Sequence, residues 1–486
     1  MPSIRSEVLN LKSPSLRKDL IDYSRSPERK KALAAQFRFS DFIERTKAGI
    51  PLEQKEIFGF VNKVTSKEIQ DVQTTAWLMA VRMRNENKPL TIEETTNLTL
   101  AMAASGDILD LSEFGHVVDK HSSGGVGDKT TLVVGPIVAA CGLTVAKMSG
   151  RGLGITGGTL DKMEAIPDMK GKVPGLNVKL TEEEFRRQAK EIGIVITGQT
   201  GTMAPADGIL YALRDITGTV DSIPLIAASI MSKKIASGST DLVLDVKVGK
   251  GAFMKTEEEA LKLAKTMVEI GKKVGINVVA EITNMDQPLG EAVGNALEIV
   301  EAIRILKGEK KPDDFREHCI ETASRMLIIS GVAGNMNEAY LMVMRTIDEG
   351  TALEKFKQMI KAQGGNDQVI DSPELMTIEK EYPVIYEEEE SIYIADVNAE
   401  TIGEAVRDLG GGRIKSKEEK INHAVGMKVK AKVGRTINYG ESLGSVYCDD
   451  PAKAEAAIQS LKNAVTFSNQ FVETPKITRG TYPAVI

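Results

Sequence analysis

The chain has little of what would mark a secreted, metal-bound or nucleic-acid-binding protein. Its 486 residues contain three cysteines, four histidines and one tryptophan. Cys141, Cys319 and Cys448 lie far apart with no C-x-x-C pair, which speaks against a disulfide framework or zinc knuckle and for a reducing, cytoplasmic setting. There is no H-E-x-x-H and no His/Cys cluster, so the spacing offers no catalytic zinc site. There is no G-x-S-x-G nucleophile elbow. No run of about 18 apolar residues occurs, so no membrane span is expected. Residues 1–35 are polar and mixed in charge, without the apolar centre of a secretory signal. Net charge is −6, with no Lys/Arg stripe of the kind that binds nucleic acid. The substrate is therefore expected to be small.

What is present reads as an α/β protein of two or three domains. Residues 1–36 read as an N-terminal extension and 37–110 as the first part of a helical domain. Residues 111–200 read as the first part of an α/β domain and 201–238 as the second part of the helical domain. Residues 239–380 read as the second part of the α/β domain. Residues 381–486 form a small strand-rich α+β domain, entered through a linker at 378–392 where four glutamates follow Tyr386. The large domain alternates strand and helix: Val117-Val118, a helix near 131–141, Thr144 to Met148. That order predicts a mostly parallel central sheet. A Thr-x-x-Glu capping box at Thr181 and Glu184 starts a helix to Ile192. Ile194 to Ile196 and Leu242 to Lys247 read as strands, and 286–307 and 313–329 as helices.

Three stretches carry chemistry. The first is Lys120-His121-Ser122-Ser123-Gly124-Gly125-Val126-Gly127-Asp128-Lys129-Thr130-Thr131, between a strand end and a buried helix. Its glycines expose backbone N–H groups at a helix start, which is how chains hold phosphate. A Walker A loop needs glycine before its Lys-Thr; Asp128 stands there instead, so the NTPase reading fails. Of the four histidines, His121 alone lies beside such a loop. The second stretch is Ser149-Gly150-Arg151-Gly152-Leu153-Gly154-Ile155-Thr156-Gly157-Gly158-Thr159. Gly152, Gly154 and Gly157 fit G-x-G-x-x-G, but the segment that follows is too short before Pro167 for a dinucleotide-binding helix. Ser149 and Thr159 offer hydroxyls to the same anion instead. The third is Tyr211 to Asp215 with Ser229 to Lys234. On a helix Ser229 and Lys233 share one face, and Arg214 and Lys233 supply positive charge for a leaving group that becomes anionic.

These residues resemble the thymidine and pyrimidine-nucleoside phosphorylases. The resemblance runs from about Phe37 to the C-terminus. It is carried by Ser149 to Lys162 and by Asp286-Gln287-Pro288-Leu289-Gly290 with Gly294-Asn295-Ala296. It implies a small helical domain, a large α/β domain with a mostly parallel sheet, a small C-terminal domain, and a homodimer built through the helical domain. The implied reaction is reversible phosphorolysis of a nucleoside to pyrimidine base and α-pentose-1-phosphate. Inorganic phosphate is then co-substrate and no organic cofactor is needed. By resemblance, phosphate falls to Lys120, Ser122, Thr131, Ser149 and Thr159, and the base to Tyr211, Arg214, Ser229 and Lys233. His121, Arg214 and Lys233 take the catalytic roles. His121 passes a proton to the base, and the two cations offset charge on the pyrimidine. With the ligand sets on different domains, domain closure is expected. Some members hold a structural potassium-type ion, and the matching positions are Gly127, Lys129, Leu289, Ala292 and Glu301.

The chain departs from the family at three points. Ile155 stands where many members have histidine, residues 168–173 look inserted, and residues 1–36 are unmatched. Lys147 resembles the broad-specificity bacterial branch, where strict thymidine phosphorylases tend to have methionine. Lys147 and Ile155 are thus the specificity candidates, and uridine, thymidine and deoxyuridine the expected substrates. The alternatives are a strict thymidine phosphorylase, a nucleoside-monophosphate phosphorylase, and a relative of the anthranilate-type phosphoribosyltransferases.

Overall fold

The computed structural model describes residues 8–13, 15–84, 88–152, 154, 155, 157–198, 201–309, 314–414 and 419–483. Leu153 and Thr156 of the second glycine motif lie outside these. The chain divides into two compact units: residues 1–117, 200–241 and 261–278 form one, and the remainder forms the other.

The first unit is helical. Its helices begin where the sequence supplies caps. Thr91 and Glu94 close a capping box on Ile92–Ala103, Glu53 and Glu56 another on Gln54–Thr65, and Ser26 with Pro27 starts Pro27–Gln36. The core is aromatic. Phe42 and Phe60 pack on the buried Trp77, with ring centroids 5.7 and 4.5 Å away. The N-terminal segment, expected to be an extension, is part of this core. Helices Leu16–Ser24 and Pro27–Gln36 pack here, Tyr23 meets Phe58 edge-on at 5.1 Å, and Asn62 donates to the Tyr23 hydroxyl at 2.8 Å. The buried apolar residues Leu16, Leu20 and Ile21 are diluted by charged neighbours, which hid the segment's amphipathic face. Helix Ile223–Ala236 packs on Ile92–Ala103, and helix Pro205–Thr217 stops at Gly218. The expected continuous helix over 204–237 is therefore two helices.

The second unit is built on a mostly parallel six-stranded sheet, in the order Thr478–Tyr482, Asn277–Asn284, Asp241–Val248, Val117–Ser122, Thr144–Ser149, Ile194–Gly198. Thr144–Ser149 and Ile194–Gly198 pair in parallel, with Lys147 opposite Ile196 and Ser149 opposite Gly198. The edge strand Thr478–Tyr482 runs antiparallel to Asn277–Asn284, so the chain's end completes the central sheet. Helix Thr130–Ala140 is apolar on all sides and almost wholly buried, as a helix inside a large core must be. The capping box at Thr181 forms as expected.

The C-terminal strands make a four-stranded sheet (292–293, 426–429, 442–447, 381–385) and a three-stranded one (436–437, 392–397, 465–468). Their apolar residues join those of the large sheet in one continuous core. Residues 381–385, read as part of a linker, are instead a strand paired with 442–447. Residues 286–294 do not continue the expected helix. They turn, add a short strand at Ala292–Val293, and the helix runs Asn295–Leu306. The inserted-looking residues 168–173 form a tight turn in which the Asp168 carboxylate accepts from the backbone of Lys170 and Lys172 at 2.8 and 2.9 Å.

Candidate active site

The residues expected to hold phosphate belong to the second unit. Lys120 and Ser122 lie at the end of the strand Val117–Ser122, on either side of His121, Thr131 lies in the first turn of the buried helix, and Ser149 ends the next strand. Thr159 opens a helix of only six residues, matching the expectation that Pro167 leaves little room. All five sit at strand ends or helix starts, where anion sites form in open α/β sheets. The loop after His121 is zipped to the neighbouring strand: Ser123 N–H donates to the Asp245 carbonyl at 3.0 Å, and the Lys247 N–H donates to Ser123 Oγ at 2.8 Å.

Lys120 is 3% exposed. Its ammonium lies 2.8 Å from Asp245 and 3.4 Å from Asp128. Burial alone would lower its pKa, but these two carboxylates outweigh burial and hold it above the usual lysine value. The same balance holds Asp128 and Asp245 well below the usual carboxylate range: burial opposes ionisation, and Lys120 and Lys247 overcome it. Asp245 is the hub. Lys247 approaches it at 2.8 Å, His318 Nε2 at 3.1 Å, and Thr283 donates to it at 2.5 Å. Glu281 lies alongside, holding Thr322 at 2.5 Å and Arg325 at 3.0 Å. Asp245, Glu281 and His318 bring ligand-type atoms within 4.8 Å of one another. Lysine and arginine already balance these carboxylates, so the cluster reads as a charge scaffold behind Lys120. The only signal of it in the sequence was Asp245-x-Lys247, two opposite charges facing one way within an apolar strand.

Asp128, which excluded the NTPase reading, also accepts from the Thr130 N–H at 3.2 Å and hydroxyl at 2.7 Å, ordering the helix start. Lys162 ties the two glycine stretches together. Its fully buried ammonium donates to the Asp128 carbonyl at 3.0 Å and the Gly157 carbonyl at 2.9 Å, and lies 3.2 Å from Glu298. Arg151 pairs with Asp161 and Glu164, so it shapes the second loop. Lys147 is buried, donates to Asp119 at 2.9 Å and contacts the Lys120 carbonyl. Lys147 thus ties its strand to the strand that carries Lys120 and His121. Ile155 is half-buried against Gly403, where an added Cβ would lie 3.0 Å from the Ile155 Cβ. Ile155 thus makes an apolar contact at the position where the resemblance leads to the expectation of a histidine.

The residues expected to hold the base belong to the helical unit. Tyr211 and Arg214 lie on Pro205–Thr217, Ser229 and Lys233 on Ile223–Ala236. Lys233 Nζ is 3.0 Å from Ser229 Oγ, the pairing expected from the i, i+4 spacing, and 2.7 Å from Asp207. Arg214 is buried and donates to the carbonyls of Thr219, Val220 and Leu225 at 3.2, 2.6 and 3.2 Å. Three of its five N–H groups thus fix the guanidinium in place, 5.9 Å from the Tyr211 ring centre. Burial lowers the Arg214 pKa, opposed by Asp207, and burial raises that of Tyr211. Asp207 was missed in the sequence, although Asp207, Tyr211 and Arg214 stand at i, i+4 and i+7 on one helix face.

The positions matching a potassium-type site do come together, but around a lysine. Lys129 Nζ donates to the Leu289 carbonyl at 2.6 Å and the Ala292 carbonyl at 3.0 Å, and lies 2.6 Å from Glu301. An ion bound by these oxygens would overlap the ammonium, so the residues do not fit a bound cation.

Comparison with known proteins agrees with this layout. Residues 40–106 match the glycosyl transferase family helical bundle domain, 114–353 the glycosyl transferase family a/b domain, and 393–468 the pyrimidine nucleoside phosphorylase C-terminal domain. The chain is 45% identical over 441 residues to a pyrimidine-nucleoside phosphorylase of Geobacillus stearothermophilus, covering 90% of this chain and 98% of that one. It is 46% identical over 411 residues to one of Staphylococcus haemolyticus, covering 84% and 92%. The crystal structure of anthranilate phosphoribosyltransferase from Thermus thermophilus superposes with a TM-score of 0.54 at 17% identity, covering 66% of this chain and 98% of that one, a likeness of fold. With similarity spanning nearly the whole of these relatives, the chain belongs to the pyrimidine-nucleoside phosphorylase family.

Proposed function

We propose that the protein catalyses reversible phosphorolysis of pyrimidine nucleosides, with uridine, thymidine and deoxyuridine as substrates. The reading is carried by one observation: the chain is 45% identical over 441 residues to a pyrimidine-nucleoside phosphorylase, covering 98% of that protein. Phosphate, held by Lys120, Ser122, Thr131, Ser149 and Thr159, attacks C1′ as the N-glycosidic bond breaks. The bonding pair leaves on the pyrimidine, where Arg214 and Lys233 offset the charge. Because Arg214 is already fixed by carbonyls, little reorganisation is needed at that step. His121 delivers a proton to the departing base. Phosphate and base are assigned to separate units, so turnover on this reading requires the units to close and exclude water.

The active species is a cytoplasmic homodimer formed through the helical unit. Val72, Met79 and Met83 on helix Asp71–Arg84 are 71%, 39% and 68% exposed. Their i, i+7 and i+11 spacing makes one apolar face for a second copy to cover.

The test is base release from uridine, thymidine, adenosine and AMP with and without phosphate. Phosphate-dependent release of uracil and thymine is expected, without adenine. Release from AMP alone would favour the nucleoside-monophosphate reading, and no release from either pyrimidine nucleoside would overturn the proposal. In His121→Ala, kcat is expected to fall about 10²- to 10⁴-fold; unchanged turnover would remove His121 from the mechanism.

A further inference from the structure

We infer that the Lys129 ammonium is this protein's own monovalent cation, tethered to the chain at the place where a free ion would otherwise be bound. Lys129 is 1% exposed, and its side chain crosses from the phosphate loop to the segment 288–292. There the ammonium has the surroundings of a cation. It has the carbonyls of Leu289 and Ala292 and the Glu301 carboxylate within 3.0 Å, and the face of Phe315 with its ring centre 4.7 Å away. Glu301 is itself held by the N–H groups of Glu291 and Ala292 at 2.8 and 2.9 Å and by Arg304 at 3.1 Å.

The cradle closes tightly around the nitrogen. At Gly290, where φ is +67°, an added Cβ would lie 2.7 Å from Lys129 Nζ and 2.8 Å from Glu301 Oε2. At Gly127, where φ is +75°, one would lie 2.7 Å from the Leu289 carbonyl. Only glycine fits the chain this closely on both sides. A second ammonium serves the same segment: Lys432 donates to the carbonyls of Pro288 and Gly290 at 2.6 and 2.7 Å and to Asp314 at 2.8 Å. The carbonyls of residues 288, 289, 290 and 292 are thus all taken by lysines.

A tethered ammonium differs from a free ion in two ways. It is not lost by dilution, and it does not respond to potassium concentration. The phosphate loop should therefore keep its anchor in potassium-free buffer. Thermal melting of the full-length protein in tetramethylammonium chloride and in potassium chloride, at equal ionic strength, tests this without reference to activity. The wild type is expected to melt at the same temperature in both. Lys129→Thr empties the cradle and supplies a hydroxyl oxygen; it is expected to melt about 5 °C or more below wild type in tetramethylammonium and to recover in potassium. Lys129→Met fills the cradle without charge, and is expected to be destabilised in both salts. A potassium-specific rise in the wild type would overturn the inference, as would a Lys129→Thr protein indifferent to potassium. Should Lys129→Thr not fold, the wild-type comparison decides alone.

Discussion

Lys120→Gln removes the cation assigned to phosphate while keeping most of the side chain's length. In the wild type this ammonium is buried, 2.8 Å from Asp245 and 3.4 Å from Asp128. Breaking a buried ion pair from one side costs about 3–5 kcal/mol, because the partner charge stays behind. Asp245 would still have Lys247 at 2.8 Å, so the low end, about 3 kcal/mol, is expected. Asp128 and Asp245 have depressed pKa values in the folded protein, so their contribution is present above the unfolded value of about 4 and is lost as pH falls through the folded values. The stability gap between wild type and variant should be full at pH 7 and narrow below about pH 4. The lost charged contact to phosphate, about 1.5–3 kcal/mol, corresponds to a roughly 10- to 150-fold rise in phosphate KM. Nucleoside KM should change little, since Tyr211, Arg214, Ser229 and Lys233 are untouched. Denaturant melts and steady-state kinetics with each substrate varied read both effects. A stable Lys120→Gln protein with unchanged phosphate KM would refute the assignment.

Asp207→Asn frees Lys233 from its 2.7 Å partner; nucleoside kcat/KM should fall about tenfold, the effect of losing one charged hydrogen bond's worth of positioning, with phosphate KM unchanged. Lys162→Met cuts the tie between the two glycine stretches and strands Glu298; it should cost about 3–5 kcal/mol in denaturant melts and raise phosphate KM. Met83→Glu puts charge on the exposed face of helix Asp71–Arg84 and should shift sedimentation from dimer to monomer.

Much of the site could be read locally. The glycines, hydroxyls and lysine after a strand marked the loop assigned to phosphate, and the i, i+4 spacing of Ser229 and Lys233 appears as a 3.0 Å contact. A capping box marked the helix start at Thr181. What stayed hidden was long-range. Asp245 meets His318 73 residues away, and no periodicity encodes such a pair. Strand 381–385 adjoins a glutamate run that looked like a linker, and it pairs with 442–447. The N-terminal helices hide their apolar residues among charged ones. Lys129 looked like one more loop cation; only folding brings it to Leu289, Ala292 and Glu301, 160 or more residues on.

The most direct test of the account is ³¹P NMR of wild-type protein with uridine and inorganic phosphate, with uracil followed in the same sample. Phosphorolysis predicts a sugar-phosphate resonance growing in equal amount with uracil, and its disappearance when excess uracil is added to drive the reaction back. Uracil release without a new phosphate ester would mean hydrolysis, and would contradict the assignment of the Lys120 loop to a reacting phosphate.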